Sequence, residues 1–299
     1  MKRSRALTPL LLLMLAVLAL AAAESRVIKI SYEDGRRSGN LRNGPWIYES
    51  NREDGIVGTV GELKILARKA VLEAPEGLSM QAAEGKRKAT FEGGVTVLRG
   101  RLTARGPHLV YSEETGLGVL AGPATMHQEP AKEGEDPVDV KATEMSFDVD
   151  TDISTSSGQV ELTNGRQRGR ADHVYYEEER GLAVFTMNEG KVELVRERKD
   201  GKLVIHAPEV RSLTRSKKLI ATGGVALVDG DITTTGDALY YDDASGEAIV
   251  VGTPARSENA SEGFKTSGGT LLHNVNKHRV QVYRKPFTLP LEEFKKVGE

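Results

Sequence analysis

The sequence predicts an all-β fold, an extended repeat array of short antiparallel strands, and three observations carry that prediction. Apolar residues alternate with others at period two and the runs stop at glycine, while no segment beyond residue 23 sustains a 3.6-residue apolar period. Thirty-two glycines stand against six phenylalanines and one tryptophan, a balance suited to strands joined by turns. The third observation is a repeat. Tyr111, Tyr176 and Tyr241 are spaced 65 residues apart. The same interval, without a gap, relates Gly93, Gly158 and Gly223; Val95, Val160 and Val225; Gly100, Gly165 and Gly230; and Gly116, Gly181 and Gly246. Matched apolar positions surround them: Val97, Leu162 and Leu227; Leu109, Val174 and Leu239; Val119, Val184 and Ile249.

In chain order, Lys2, Arg3 and Arg5 precede an aliphatic run from Leu10 to Leu20, and Ala21, Ala22 and Ala23 follow it. Residues 1–23 therefore read as a cleavable signal peptide, with an uncleaved anchor as the alternative, and the rest of the chain as exported. The apolar run is about 14 residues, short of the roughly 20 that span a bilayer. Without the three basic residues of that segment the formal charge moves from −2 to −5, mildly acidic and unlike a nucleic-acid binder. No cysteine is present, so disulfides, thiol catalysis and a lipid-modified cysteine are excluded.

Residues 24–285 read as one continuous β-repeat array, strongest over 89–257, and 286–299 as a charged tail whose Pro286 and Pro290 cannot continue a strand ladder. Each copy runs G-x-V-x-[VL]-x-x-G, a second strand ending in the tyrosine, an acidic turn, glycine, and a third strand: LGVLAG, LAVFTM and EAIVVG in turn. The looser halves, 65–85, 140–158, 204–224 and 265–283, follow the same strand–turn–strand order. Near the N-terminus, Gly35 and Trp46 fall 65 residues before Gly100 and Tyr111, which suggests a further degenerate unit. The polar stretch 128–137 reads as a surface loop.

The stretch HVYYEEERG (173–181) resembles an active site until HLVYSEETG (108–116) and ALYYDDASG (238–246) are set beside it. A phrase written three times is a building unit, so Glu177 to Glu179, Asp242 and Asp243 read as turn acids whose charge is solvated. Six scattered histidines form no zinc-like pair, and no nucleophile elbow or phosphate-cradling loop is present, so an enzyme is not expected and no cofactor or metal is called for. Asp148, Asp150 and Asp152 in FDVDTDI read as one solvated strand face, not a calcium loop. The tyrosine strands carry apolar residues on both faces: Val174 and Tyr176 oppose Tyr175, and Leu239 and Tyr241 oppose Tyr240.

The copies GGVTVLRG…HLVYSEETG, GQVELTNG…HVYYEEERG and GGVALVDG…ALYYDDASG resemble the OstA/LptA family, over roughly residues 60–285. The resemblance implies an open two-sheet periplasmic β-jellyroll with an apolar groove. Such a protein carries lipopolysaccharide or another envelope glycolipid between inner and outer membranes. It docks on inner- and outer-membrane transport components, and on its own copies head to tail, through its end strands. The groove lining it implies here is Val95, Val97, Leu109, Tyr111, Val119, Val160, Leu162, Val174, Tyr176, Val184, Val225, Leu227, Leu239, Tyr241 and Ile249, with the strand face still open. The competing reading is a non-enzymatic structural or carbohydrate-binding envelope β-array.

Overall fold

A computed structural model describes residues 26–199, 201–285 and 287–299. The signal-peptide segment lies outside the described residues. The first strands are short: β1 (Lys29–Tyr32), β2 (Gly35–Ser38), β3 (Trp46–Ser50), β4 (Ile56–Val60), β5 (Leu63–Ala67) and β6 (Lys69–Glu73). Long ones follow: β7 (Lys88–Arg99), β8 (Leu102–Ser112), β9 (Leu117–Gln128), β10 (Val138–Asp148), β11 (Ile153–Asn164) and β12 (Gln167–Glu177). Then come β13 (Leu182–Thr186), β14 (Val192–Arg198), β15 (Gly201–Ala207), β16 (Glu209–Leu213), β17 (Lys218–Asp229), β18 (Ile232–Asp242), β19 (Glu247–Asn259), β20 (Phe264–Asn274) and β21 (Arg279–Val282). A single 3-10 turn, Leu291–Phe294, is the only helical element among the described residues. The all-β expectation holds, and several of the short strands read from sequence are joined into strands of 11–13 residues.

The chain forms two compact units: one up to Ala124 together with Ser146–Asp152, the other Thr125–Met145 together with Ile153–Glu299. In the second unit the antiparallel registers trace two sheets. One runs β11–β12–β13–β16–β17–β18–β19–β20–β21 through residues such as Tyr176, Ala183, Ser212, Leu219, Tyr241, Ala248 and His273. The other runs β11–β12–β14–β15–β17–β18–β19–β20 through Asn164, Gln167, Arg196, Leu203, Asp229, Ile232 and Asn259. Thus β11, β12 and β17–β20 pass through both sheets. The first unit repeats the plan, with β2–β3–β6–β7–β8 and β1–β4–β5–β7–β8.

Glycine makes the passage between sheets. The registers shift between Glu92 and Val95, Ser157 and Val160, and Thr222 and Val225, and the intervening Gly93, Gly158 and Gly223 have φ of 85°, 76° and 86°. That left-handed backbone is closed to most side-chain-bearing residues. The 65-residue sequence repeat is therefore also a repeat of backbone geometry. The turn glycines Gly100, Gly165 and Gly230 share φ of 54–58°. Gly35, offered as their fourth member, is not in the left-handed region, and at that end Tyr48 rather than Trp46 is the buried aromatic.

Glycines also bring the two sheets of each unit together. A Cβ on Gly169 would meet the Phe185 ring at 2.5 Å, and one on Gly58 the Phe91 ring at 2.5 Å. Large side chains of one sheet thus seat against bare backbone of the other, and the interior is filled.

Three expectations are corrected. The turn acids are not all solvated: Glu179 is exposed and Asp242 and Asp243 are half-buried, but Glu177 and Glu178 are buried, as is Glu113 in the first copy. The Glu113 carboxylate accepts from the backbone N–H groups of Ile28, Gly85 and Arg87 and pairs with the buried Arg87 guanidinium at 2.7 Å. The short acid side chain reaches back to orphan N–H groups that the neighbouring turn presents, which outweighs solvation. Asp148, Asp150 and Asp152 share no strand face, because β10 ends at Asp148; Asp150 sits in the following turn, where Arg26 holds it. Among the described residues no group of three or more potential ligands is placed to hold a metal.

The third correction concerns the tail. Residues 287–299 lie across the outer face of the first sheet of the second unit. Phe294 is fully buried in a cluster with Leu182, Val184 and Ile220, edged by Tyr175, Leu213, Tyr240 and Leu289. Phe287 packs on Tyr240. Arg211 donates to Glu299 and to the Phe294 carbonyl, Arg180 donates to the carbonyls of Glu293 and Lys295, and Val297 N–H donates to Glu177. The ladder ends with β21 at Val282, and residues 287–299 form a strap over β12, β13, β16, β17 and β18. This explains the doubly apolar tyrosine strands, whose second face is what the strap covers.

Candidate functional site

The interior between the sheets of each unit is the candidate site. Twelve of the fifteen proposed lining residues are buried on interior-facing positions: Leu109, Tyr111, Val174, Tyr176, Leu239 and Tyr241 in one sheet, and Val95, Val97, Val160, Leu162, Val225 and Leu227 in the other. The remaining three lie on the other face. Val184 pairs with Tyr175 and Ile249 with Tyr240, not with Tyr176 and Tyr241, so both belong to the outer face. Val119 alternates with the buried Leu120 and is half-buried. In β13 and β19 the turn sets the register so that the position matched across repeats falls opposite Tyr175 or Tyr240, one residue from the interior tyrosine.

The rims of the interior are polar. Positions 99, 164 and 229, matched in the repeat, are the buried Arg99, Asn164 and Asp229. Arg99 donates to the carbonyls of Asp148 and Thr151, and Asn164 Nδ2 to those of Asp136 and Pro137. Asp229 receives Arg198 and both His273 and His278. The second nitrogen of His273 meets Thr234 Oγ1 at 3.1 Å, and Thr234 meets Ser257 at 2.9 Å. This chain of hydrogen bonds joins the sheet holding His273 to the sheet holding Asp229 and Thr234.

Each repeat tyrosine reaches a different partner. Tyr111 Oη donates to the Arg26 carbonyl, Tyr176 Oη to Gln128 Oε1 and Tyr241 Oη to Asp243 Oδ1. Burial, reinforced by Glu113 and by Asp243 respectively, raises the pKa of Tyr111 and Tyr241, so both stay neutral donors. The sequence missed Arg196, Arg198, Gln128 and Asn164, because polar residues at interior-parity positions break the apolar alternation that marked the others. Their signal was parity alone: Arg196 and Arg198 follow Val192 and Leu194 at period two.

Chemically, this is a closely packed apolar interior with hydrogen-bonding edges. No helix among the described residues is long and apolar enough to cross a membrane.

Residues 76–210 match the family described as LptA/(LptD N-terminal domain) LPS transport protein. Among solved structures the chain is similar to LptH, described as the LptA homologous periplasmic component of the conserved lipopolysaccharide transport device from Pseudomonas aeruginosa. The identity is 14% and the TM-score 0.35, over 43% of this chain and 95% of that one. No curated protein matches. The matched segment includes two of the three tyrosine copies and the β11–β12 hairpin, and over it the chain is similar to the LptA/LptD N-terminal family.

Proposed function

We propose that the protein is a periplasmic lipid-binding and transfer protein whose packed sheets part to hold the acyl part of lipopolysaccharide, or of a similar acylated amphiphile, between them, and that it passes this cargo between inner and outer membranes. The observation that carries this reading is the repetition of the same apolar interior rows in three copies, within a chain of which residues 76–210 match a lipopolysaccharide-transport family. Each methylene removed from water contributes about 0.8 kcal/mol, so even a few buried carbons hold an amphiphile without a specific polar contact. Similar rows in successive repeats give graded holding, which suits transfer better than one tight site.

The end strands supply the docking surfaces of this reading. The Phe264–Gly268 half of β20 has β19 on one side, while β21 covers only Leu271–Asn274. Its backbone can pair with an added strand from a transport component or another copy.

The test is native mass spectrometry with lipid extraction on protein purified from the envelope without detergent. An acylated glycolipid bound by the wild type, and reduced in a folded Val160→Asp variant, is the expected result. A protein that arrives empty and takes up no envelope lipid overturns the carrier reading in favour of a structural or carbohydrate-binding array.

A further inference from the structure

Three buried polar atoms without a hydrogen-bond partner, Asn164 Oδ1, Gln167 Nε2 and Arg196 Nη1, occupy adjacent positions of one row. Asn164 pairs with Gln167 across β11 and β12, and Gln167 pairs with Arg196 across β12 and β14, so the three side chains project together on the interior face of the second sheet. Asn164 and Gln167 are 2% and 4% exposed. An unpartnered buried donor or acceptor costs about 1–3 kcal/mol, and three side by side are unlike the rest of the interior.

The repeat keeps a buried polar residue at position 164, as Arg99 and Asp229, but shows that the fold does not require the glutamine. Gln167 is matched by Leu102 and Ile232, both buried and apolar. The orientation of Asn164 is set by its Nδ2, which donates to the carbonyls of Asp136 and Pro137 and leaves Oδ1 to accept. Arg196 is oriented by Asp243, which takes its Nε and Nη2 at 2.9 and 2.6 Å and leaves Nη1 to donate. The free set is therefore one acceptor beside two donors.

The geometry points to a hydrogen-bonding subsite for an uncharged oxygen-bearing group of the ligand, a hydroxyl or an amide, held where the acyl interior meets its rim. A hydroxyl or a secondary amide both donates and accepts, and so answers Asn164 and Gln167 together. An anion is disfavoured, because Asp243 already neutralises Arg196, and Asp229, two positions further along the row, neutralises Arg198. This subsite deepens the carrier reading and rests on it: it would select hydroxylated or amide-bearing chains over plain ones.

The experiment compares 3-hydroxytetradecanoate with tetradecanoate, measured by calorimetric titration on the full chain. One added neutral hydrogen bond corresponds to a preference of roughly 3- to 10-fold for the hydroxylated chain. Gln167→Leu, which installs the residue of the first repeat, should bring that ratio to about one. It should leave tetradecanoate affinity unchanged and the melting temperature equal or higher. Gln167→Glu should also abolish the preference, since its carboxylate closes onto Arg196 Nη1. Equal wild-type affinity for the two chains, or a preference that persists in both variants, overturns the subsite while leaving the carrier reading intact. Binding of neither chain overturns both. A Gln167→Leu protein that melts lower and keeps the preference shows that the glutamine is structural only.

Discussion

Glu113 is held by three backbone N–H groups and the Arg87 guanidinium, and its removal should be felt accordingly. Glu113→Ala leaves the buried Arg87 guanidinium without its counter-charge and strands the N–H groups of Ile28, Gly85 and Arg87. Breaking a buried ion pair from one side costs about 3–5 kcal/mol. Glu113→Gln keeps one acceptor oxygen and should lose less. Urea unfolding of both variants checks the order, and equal midpoints would show that the charge contributes nothing. The sequence showed the position, since 113, 178 and 243 are all acidic, but not its burial. Charge in a turn reads as solvated when the chain is scanned alone. The three N–H groups come from segments 26 to 85 residues away, and no local pattern reports them.

At the scale of the element, the strap is a cross-brace anchored by Phe294 at its centre and by Arg211–Glu299 at its end. Phe294→Ala should cost about 3–5 kcal/mol, as full truncation of a buried aromatic does. It should also expose Val184 and Ile220, giving new binding of an environment-sensitive dye. The ion pair adds a pH signature. A hydrogen bond from Arg211, then one from the Lys296 N–H, lowers the Glu299 pKa to about 2, below its ordinary value of 4.5. Because the folded value is the lower one, the contribution is complete above about pH 4.5 and lost as pH falls through about 2. The stability gap between wild type and Glu299→Gln should therefore be flat from neutral pH down to about 5 and vanish near 2. A gap that persists at pH 2 would remove the carboxylate from the account. The last strand ends at Val282, before the tail begins. The apolar residues Phe287, Leu289 and Phe294 stand in the sequence, but their partners lie on a sheet face that only the folded registers define.

Across the whole molecule, the most legible feature was the 65-residue period, and its physical content lies in the glycines at the bends. Their spacing survives translation into structure because φ near +80° is a requirement on backbone, visible as residue type without knowledge of contacts. The face of each strand was less legible: twelve lining positions fall on the interior, while the third-strand positions fall outside, since one residue of register decides the side. The bends can be tested directly. Gly158→Ala meets both a strained φ and the Thr143 side chain, 2.6 Å from the added carbon, whereas Gly94→Ala meets the strained φ with open space around it. Both variants should be destabilised by about 1–3 kcal/mol from backbone strain, and Gly158→Ala by more, because β10 must yield as well. If the two lose equally, strain alone sets the cost of the bend. If neither loses stability, the glycines are dispensable, and the repeat would have to be explained by its apolar rows alone.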